Sequence, residues 1–160
     1  MKIAKYKGMF YQYVSTDKAC SIVTAHNEKV HDGFVLKDGV YYKTISDDDV
    51  SDIFEIRYRV KYDTEIPGVS DEWEIGTGTQ DVKEDKILIR YSNGILPEWM
   101  VEEKNVCTKY VDKKEIEFGE IIRLYQKKNG RMLPSPEGVV ERVDVDTFIS
   151  IQFDYQRNNL

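Results

Sequence analysis

The chain has 160 residues, 41 % of them hydrophobic and 32 % charged, and a formal net charge of −6. A domain of this length buries about 70 % of its extended-chain surface, enough for a self-supporting core. The acidic balance opposes phosphate backbones and anionic lipid headgroups, so nucleic acid and membrane surfaces are poor partners and a basic protein surface is a better one. Eleven Tyr and six Phe favour strands, because aromatic side chains pack well on a pleated surface.

From the N-terminus, Lys2, Lys5 and Lys7 interrupt any apolar stretch, so no signal peptide is predicted. No run of about eighteen apolar residues predicts a membrane span, and the expected location is the cytoplasm. The first block reads Gly33-Phe34-Val35-Leu36, then Val40 to Ser46, then an acidic turn, then the strand Phe54–Tyr62. That strand alternates Phe54, Ile56, Tyr58, Val60 and Tyr62 with Glu55, Arg57, Arg59 and Lys61, which predicts one buried and one wet face. Thr64–Glu72, holding Pro67-Gly68, and Gly76–Asp85 read as loops. Lys86–Tyr91 is an apolar run closed by Asn93-Gly94.

A second block then repeats the first. Phe34 matches Trp99 at an offset of 65, and Val40 matches Val106 at an offset of 66. Ile45 falls on Val111, Asp49 on Glu115, Val50 on Ile116, Ile56 on Ile122 and Arg57 on Arg123. Upstream the match is looser, with Lys5-Tyr6 on Lys61-Tyr62 and Ile22–Thr24 on Leu88–Arg90. Ser46 and Asp112 each precede an acid, Asp49 and Glu115, by three residues, a capping-box pattern that predicts a short helical turn in each block. Lys127–Gly138, with Asn129-Gly130, Pro134 and Pro136, reads as a linker. Val139–Tyr155 reads as a C-terminal β hairpin, its second strand Thr147–Tyr155 alternating Ile149, Ile151, Phe153 and Tyr155 with polar residues. The expectation is a mainly β fold with only short helical turns: a β-rich unit over 1–58, its diverged copy over 59–126, and the linker and hairpin over 127–160.

No residue pattern predicts a catalytic group, metal or cofactor. His26 and His31 lack the spacing of a zinc helix and sit among turn residues before Gly33. Asp47-Asp48-Asp49 with Asp52 lacks the Gly and Glu that a calcium loop requires, and an acidic first turn beside a helix dipole accounts for it. Gly76-Thr77-Gly78-Thr79 lacks the Gly-Lys-Ser/Thr of a phosphate loop. Cys20 and Cys107 have no CxxC spacing and read as reduced core thiols. Trp73, framed by Asp71-Glu72 and Glu74, has two readings, a core residue or an aromatic anchor for a basic partner.

The pattern of Tyr42-Lys43-Thr44-Ile45 leading into Ser46-Asp47-Asp48-Asp49-Val50, echoed at Thr108–Ile116, resembles small acidic β-rich immunity proteins of Gram-positive polymorphic or contact-dependent toxin systems. The opening Lys5-Tyr6-Lys7-Gly8 is similar to theirs as well. The resemblance implies a non-enzymatic inhibitor that neutralises a basic partner such as a toxin nuclease domain. Candidate partner contacts are Asp47, Asp48, Asp49, Asp52, Asp71, Glu72, Trp73, Glu102 and Glu103. The alternatives are a phage or mobile-element accessory protein that sequesters a small ligand or blocks a host factor, and an enzyme of unrecognised type.

Overall fold

The alternation that predicts a strand over Phe54–Tyr62 produces one that starts four residues earlier, β6 (Val50–Tyr62), whose apolar positions are almost all buried. The computed structural model describes residues 1–62, 72–75 and 85–159, and the chain is mainly β. The two expected loops around Pro67-Gly68 and Gly76-Thr77 lie almost wholly outside the described residues, as does Asp71. The contacts divide the chain into two compact units: Met1–Ile56 with Arg123–Val139 and Tyr155–Leu160, and Arg57–Ile122 with Val140–Asp154.

Unit one is built from β1 (Lys2–Tyr6), β2 (Met9–Ser15), β3 (Cys20–Thr24), β4 (Val35–Lys37), β5 (Val40–Ile45) and the first part of β6. Its strand order is β4-β5-β3-β2-β1-β6, with antiparallel pairing between these neighbours. Ala4, Tyr6, Tyr11, Tyr13, Ile22, Ile45, Val50 and Ile53 form its buried cluster. Two hairpins close through Lys7-Gly8 and Asp38-Gly39, and both residues of each pair have positive φ (48° and 84°, 53° and 80°). This is the two-residue turn that matches strand twist, and glycine at its second position avoids the steric cost.

Unit two takes the second part of β6, then β7 (Glu72–Ile75), β8 (Lys86–Tyr91), β9 (Met100–Glu103), β10 (Val106–Asp112) and the first part of β11 (Ile116–Lys128). Its order is β6-β7-β8-β10-β9, so β7, β8, β10 and β9 hold the places of β2, β3, β5 and β4. Ile22 lies opposite Lys43 in unit one, and Ile89 opposite Lys109 in unit two.

The short turns Asp47–Asp49 and Lys113–Glu115 are 3-10 turns with complete capping boxes, headed by Ser46 and Asp112 as the spacing predicts. Ser46 accepts from the Asp48 backbone while Asp49 Oδ2 accepts from the Ser46 N–H at 2.8 Å. In the second turn the Glu115 carboxylate accepts from Asp112 N at 3.0 Å.

The C-terminal third differs from the sequence expectation. Lys127–Gly138 is not a linker: it is the end of β11 and the start of β12 (Arg131–Val143), joined at Asn129-Gly130 with φ of 50° and 79°. Pro134 and Pro136 are tolerated because, among the described residues, β12 pairs only with β11, leaving one side of its backbone without ladder bonds. Thr147–Tyr155 is not a strand either. It lies in the helix α1 (Val145–Asn159), which replaces the expected hairpin. Asp144 caps this helix, its carboxylate accepting from Thr147 N at 2.9 Å and Thr147 Oγ at 2.6 Å. Among the described side chains of the helix the buried positions are Phe148, Ile149 and Gln152, a helical i, i+1, i+4 set that differs from the period-two pattern. Gly119 on β11 admits Phe148: a Cβ there would lie 2.2 Å from the Phe148 ring.

Candidate protein-binding surface

The acidic turn of unit one is held from several sides. Tyr13 donates from its hydroxyl to Asp47 Oδ1 at 2.7 Å, and the buried Lys127 donates from Nζ to the Asp47 carbonyl at 2.5 Å. The Tyr13 hydroxyl also lies 3.0 Å from Cys20 Sγ. Burial, then the hydrogen bonds with Cys20 and Asp47, push the Tyr13 phenol far above its ordinary value, so it stays a proton donor to the carboxylate. With the capping box engaging Asp49, the exposed Asp48 projects from a turn whose two flanking carboxylates are fixed. Among the described residues its carboxylate has no hydrogen-bond or ion-pair partner. The Lys127 ammonium thus ties the backbone of the turn at Asp47 to β11.

The matching turn of unit two has Lys113 and Lys114 in place of two of these acids, and Lys113 pairs with Asp146 of α1 at 2.8 Å. One turn is thus engaged within its own unit, whereas the other presents Asp48 outward.

The remaining expected contacts separate into surface and core. Glu102 and Glu103 lie on the exposed β9, and Glu102 pairs with Arg90 at 3.1 Å, a half-exposed bridge worth little in stability. Glu72 begins β7. Two residues expected on a contact surface are instead buried. Asp52 is 9 % exposed and accepts from Ser51 Oγ at 2.6 Å and from Asn129 N at 3.0 Å, so it fastens the tip of the β11–β12 hairpin. Trp73 is 3 % exposed, opposite Val60 on β6, with its ring 5.2 Å from Trp99 and its Nε1 donating to the Tyr62 carbonyl at 3.3 Å. It fills the core of unit two. The short alternation Glu72-Trp73-Glu74-Ile75 is the strand signal that could have placed it.

Sequence reading gave no role to Glu120, the buried carboxylate of β11. Arg59 and Arg142 both grip it through Nε and Nη2, at 2.8 and 2.5 Å for Arg59 and 3.2 and 2.8 Å for Arg142. Burial pushes the carboxyl up, but the hydrogen bonds and charges of the two arginines outweigh it and hold it below the usual range. The Arg142 guanidinium also stacks 3.8 Å from the Phe118 ring centroid. These partners are far apart in sequence, and no local pattern announces them.

Exposed apolar side chains complete the surface. Val35 and Leu36 on β4 are 67 % and 58 % exposed, and Met100 and Val101 on β9 are 52 % and 62 % exposed. Among the described residues no group of three or more His, Cys, Asp or Glu is placed to hold a metal ion, and no helix is long and apolar enough to cross a membrane.

Fold and surface together define a mainly β protein that presents carboxylates and apolar edge residues on short, well-held elements. The chain belongs to the family described as uncharacterised conserved protein UCP033725, which matches residues 2–129 and leaves all of β12 and α1 outside the match. No curated protein and no solved structure matches the chain.

Proposed function

We propose that the chain is a non-enzymatic inhibitor of the immunity-protein kind, acting in the cytoplasm, which binds and neutralises a protein partner with a basic surface, such as a toxin nuclease domain. It is read as a duplicated β unit whose two copies have diverged at their turns. The observation that carries this reading is Asp48, exposed on a turn pinned by the Ser46 cap, Tyr13 and Lys127. A pre-ordered acidic turn loses little entropy on binding, and its charge steers a basic partner and fixes register. The net charge of −6 acts in the same direction.

The test is binding of the chain to the product of the neighbouring gene, followed by a salt titration. The expected result is a complex at low salt whose association slows as salt rises. Asp48→Lys should slow association by about tenfold while leaving the melting temperature unchanged. Absence of a complex at low salt refutes the inhibitor reading, and a complex indifferent both to salt and to Asp48→Lys refutes its electrostatic basis.

A further inference from the structure

Three strands have an unpaired side among the described residues: β4, β9 and β12. Such edges invite pairing with another chain, and folded proteins ordinarily guard them with bulges, charges or proline. β12 has Pro134 and Pro136, two residues apart and therefore directed to the same side. β9 has Glu102 and Glu103, and its pairing with β10 slips between Val106 and Cys107, leaving one extra residue on β9. β4 has neither device. Its register with β5 is regular (Val35↔Tyr42, Leu36↔Tyr41, Lys37↔Val40), and only its shortness and Lys37 restrain it. Val35 and Leu36 are more than half exposed, and Tyr42 beside them is 40 % exposed.

The hairpin fixes which backbone groups are free. Asp38-Gly39 is a two-residue turn, so Lys37 and Val40 form a hydrogen-bonded pair and Leu36 and Tyr41 a non-hydrogen-bonded one. The Leu36 N–H and C=O therefore point away from β5. A strand added antiparallel to β4 would run in the same sense as β5, and its C-terminal residues would advance toward the level of Asp47–Asp49, which follow β5 in the chain. The one lysine on β5, Lys43, is engaged by the Asp32 carbonyl and lies over the Tyr6 and Phe34 rings.

We propose that the β4 edge is the site of strand addition, taking from the partner a short extended segment with apolar residues against Val35 and Tyr42 and basic residues toward its C-terminal end. This rests on the basic-partner reading above and adds the mode of binding: backbone hydrogen bonds at Leu36 supply affinity, and the acidic turn supplies direction.

The probe is a synthetic peptide of about eight residues, alternating Val with Thr in its first half and Val with Lys in its second. A control has Glu in place of each Lys. Binding is followed by hydrogen exchange at the Leu36 amide and by sedimentation of the chain. The expected result is protection of Leu36 by the Lys peptide and not by the Glu peptide. Leu36→Pro removes only the outward N–H, so it should leave thermal unfolding unchanged and weaken binding at least about tenfold. Val35→Lys, which keeps the backbone, should weaken it through the lost apolar contact. No protection by the Lys peptide, or undiminished binding by both variants, overturns strand addition. Concentration-dependent dimerisation abolished by Leu36→Pro also overturns it, by assigning the edge to a second copy. Binding that Asp48→Lys weakens and Leu36→Pro does not leaves the basic-partner reading standing without strand addition. Equal protection by both peptides overturns the basic-partner reading and leaves the edge site intact.

Discussion

Gly119→Ala isolates how α1 is seated in unit two. The added methyl would meet Cγ and Cδ2 of Phe148 at 2.2 Å and its Cβ at 2.7 Å, all closer than real Cβ contacts come. Rotating the ring does not relieve the contact with the Phe148 Cβ, so the helix backbone has to move. Phe148 is fully buried and packs edge-on against Tyr58 with ring centroids 5.9 Å apart, so that motion disturbs a filled core. Overpacking costs about 1–3 kcal/mol, and full loss of the Phe148 packing would cost about 3–5 kcal/mol. Replacing glycine by alanine returns about 0.4–1 kcal/mol through the unfolded chain. The expected net destabilisation is about 2–3 kcal/mol, measured by urea unfolding of the full chain with Trp73 and Trp99 fluorescence as the probe. In the double variant with Phe148→Ala the added cost of Gly119→Ala should shrink, because the ring atoms at 2.2 Å are gone and only the Cβ contact at 2.7 Å remains. A Gly119→Ala chain within about 0.5 kcal/mol of the parent refutes this account of the seat, as does a double variant in which the two losses simply add.

Gln152 is 1 % exposed, and among the described residues neither its Nε2 nor its Oε1 has a hydrogen-bond partner, so Gln152→Leu should stabilise the chain by about 1 kcal/mol; loss of stability in the same urea assay would contradict it. Glu120, with its carboxyl held below the usual range, contributes stability that is present above the unfolded carboxylate value of about 4.3 and is lost as pH falls through its lower folded value. Glu120→Gln should therefore flatten the acid limb of the stability curve below about pH 4, and an unchanged limb would remove Glu120 from that role. Asp52→Ala leaves the Asn129 N–H without its acceptor and should cost about 1–2 kcal/mol, with faster hydrogen exchange at Asn129; unchanged exchange would refute the anchoring role.

Much of the architecture was legible where a local period governs the backbone. The alternation of Phe54–Tyr62 and the caps at Ser46 and Asp112 rest on interactions within a few residues, and they form as read. The C-terminal segment misled because Ile149, Ile151, Phe153 and Tyr155 satisfy period two, whereas the buried set includes Gln152, a polar residue that carries no apolar signal. The decisive cue was Asp144 ahead of Thr147, a cap without the usual acid at the third position. Asp47 and Asp48 stand on the turn where the spacing placed them, but Asp52 and Trp73 were drawn inside by partners remote in sequence, Asn129 and Trp99. The contrast among the three edges was hidden for the same reason, since an edge is defined only once pairing is known.

The division of β6, β11 and β12 between the units has a consequence for how the chain acquires its structure. Unit one opens at Met1 but is complete only when Arg123–Val139 has joined it, after the strands of unit two have been made. A growing chain therefore holds β1 to β5 with their cover missing while most of the second unit is synthesised. Long-range closure of this kind is entropically late and slow. A chain cut between β6 and β7 should yield two fragments that gain stable structure only on mixing, because unit one draws segments from both.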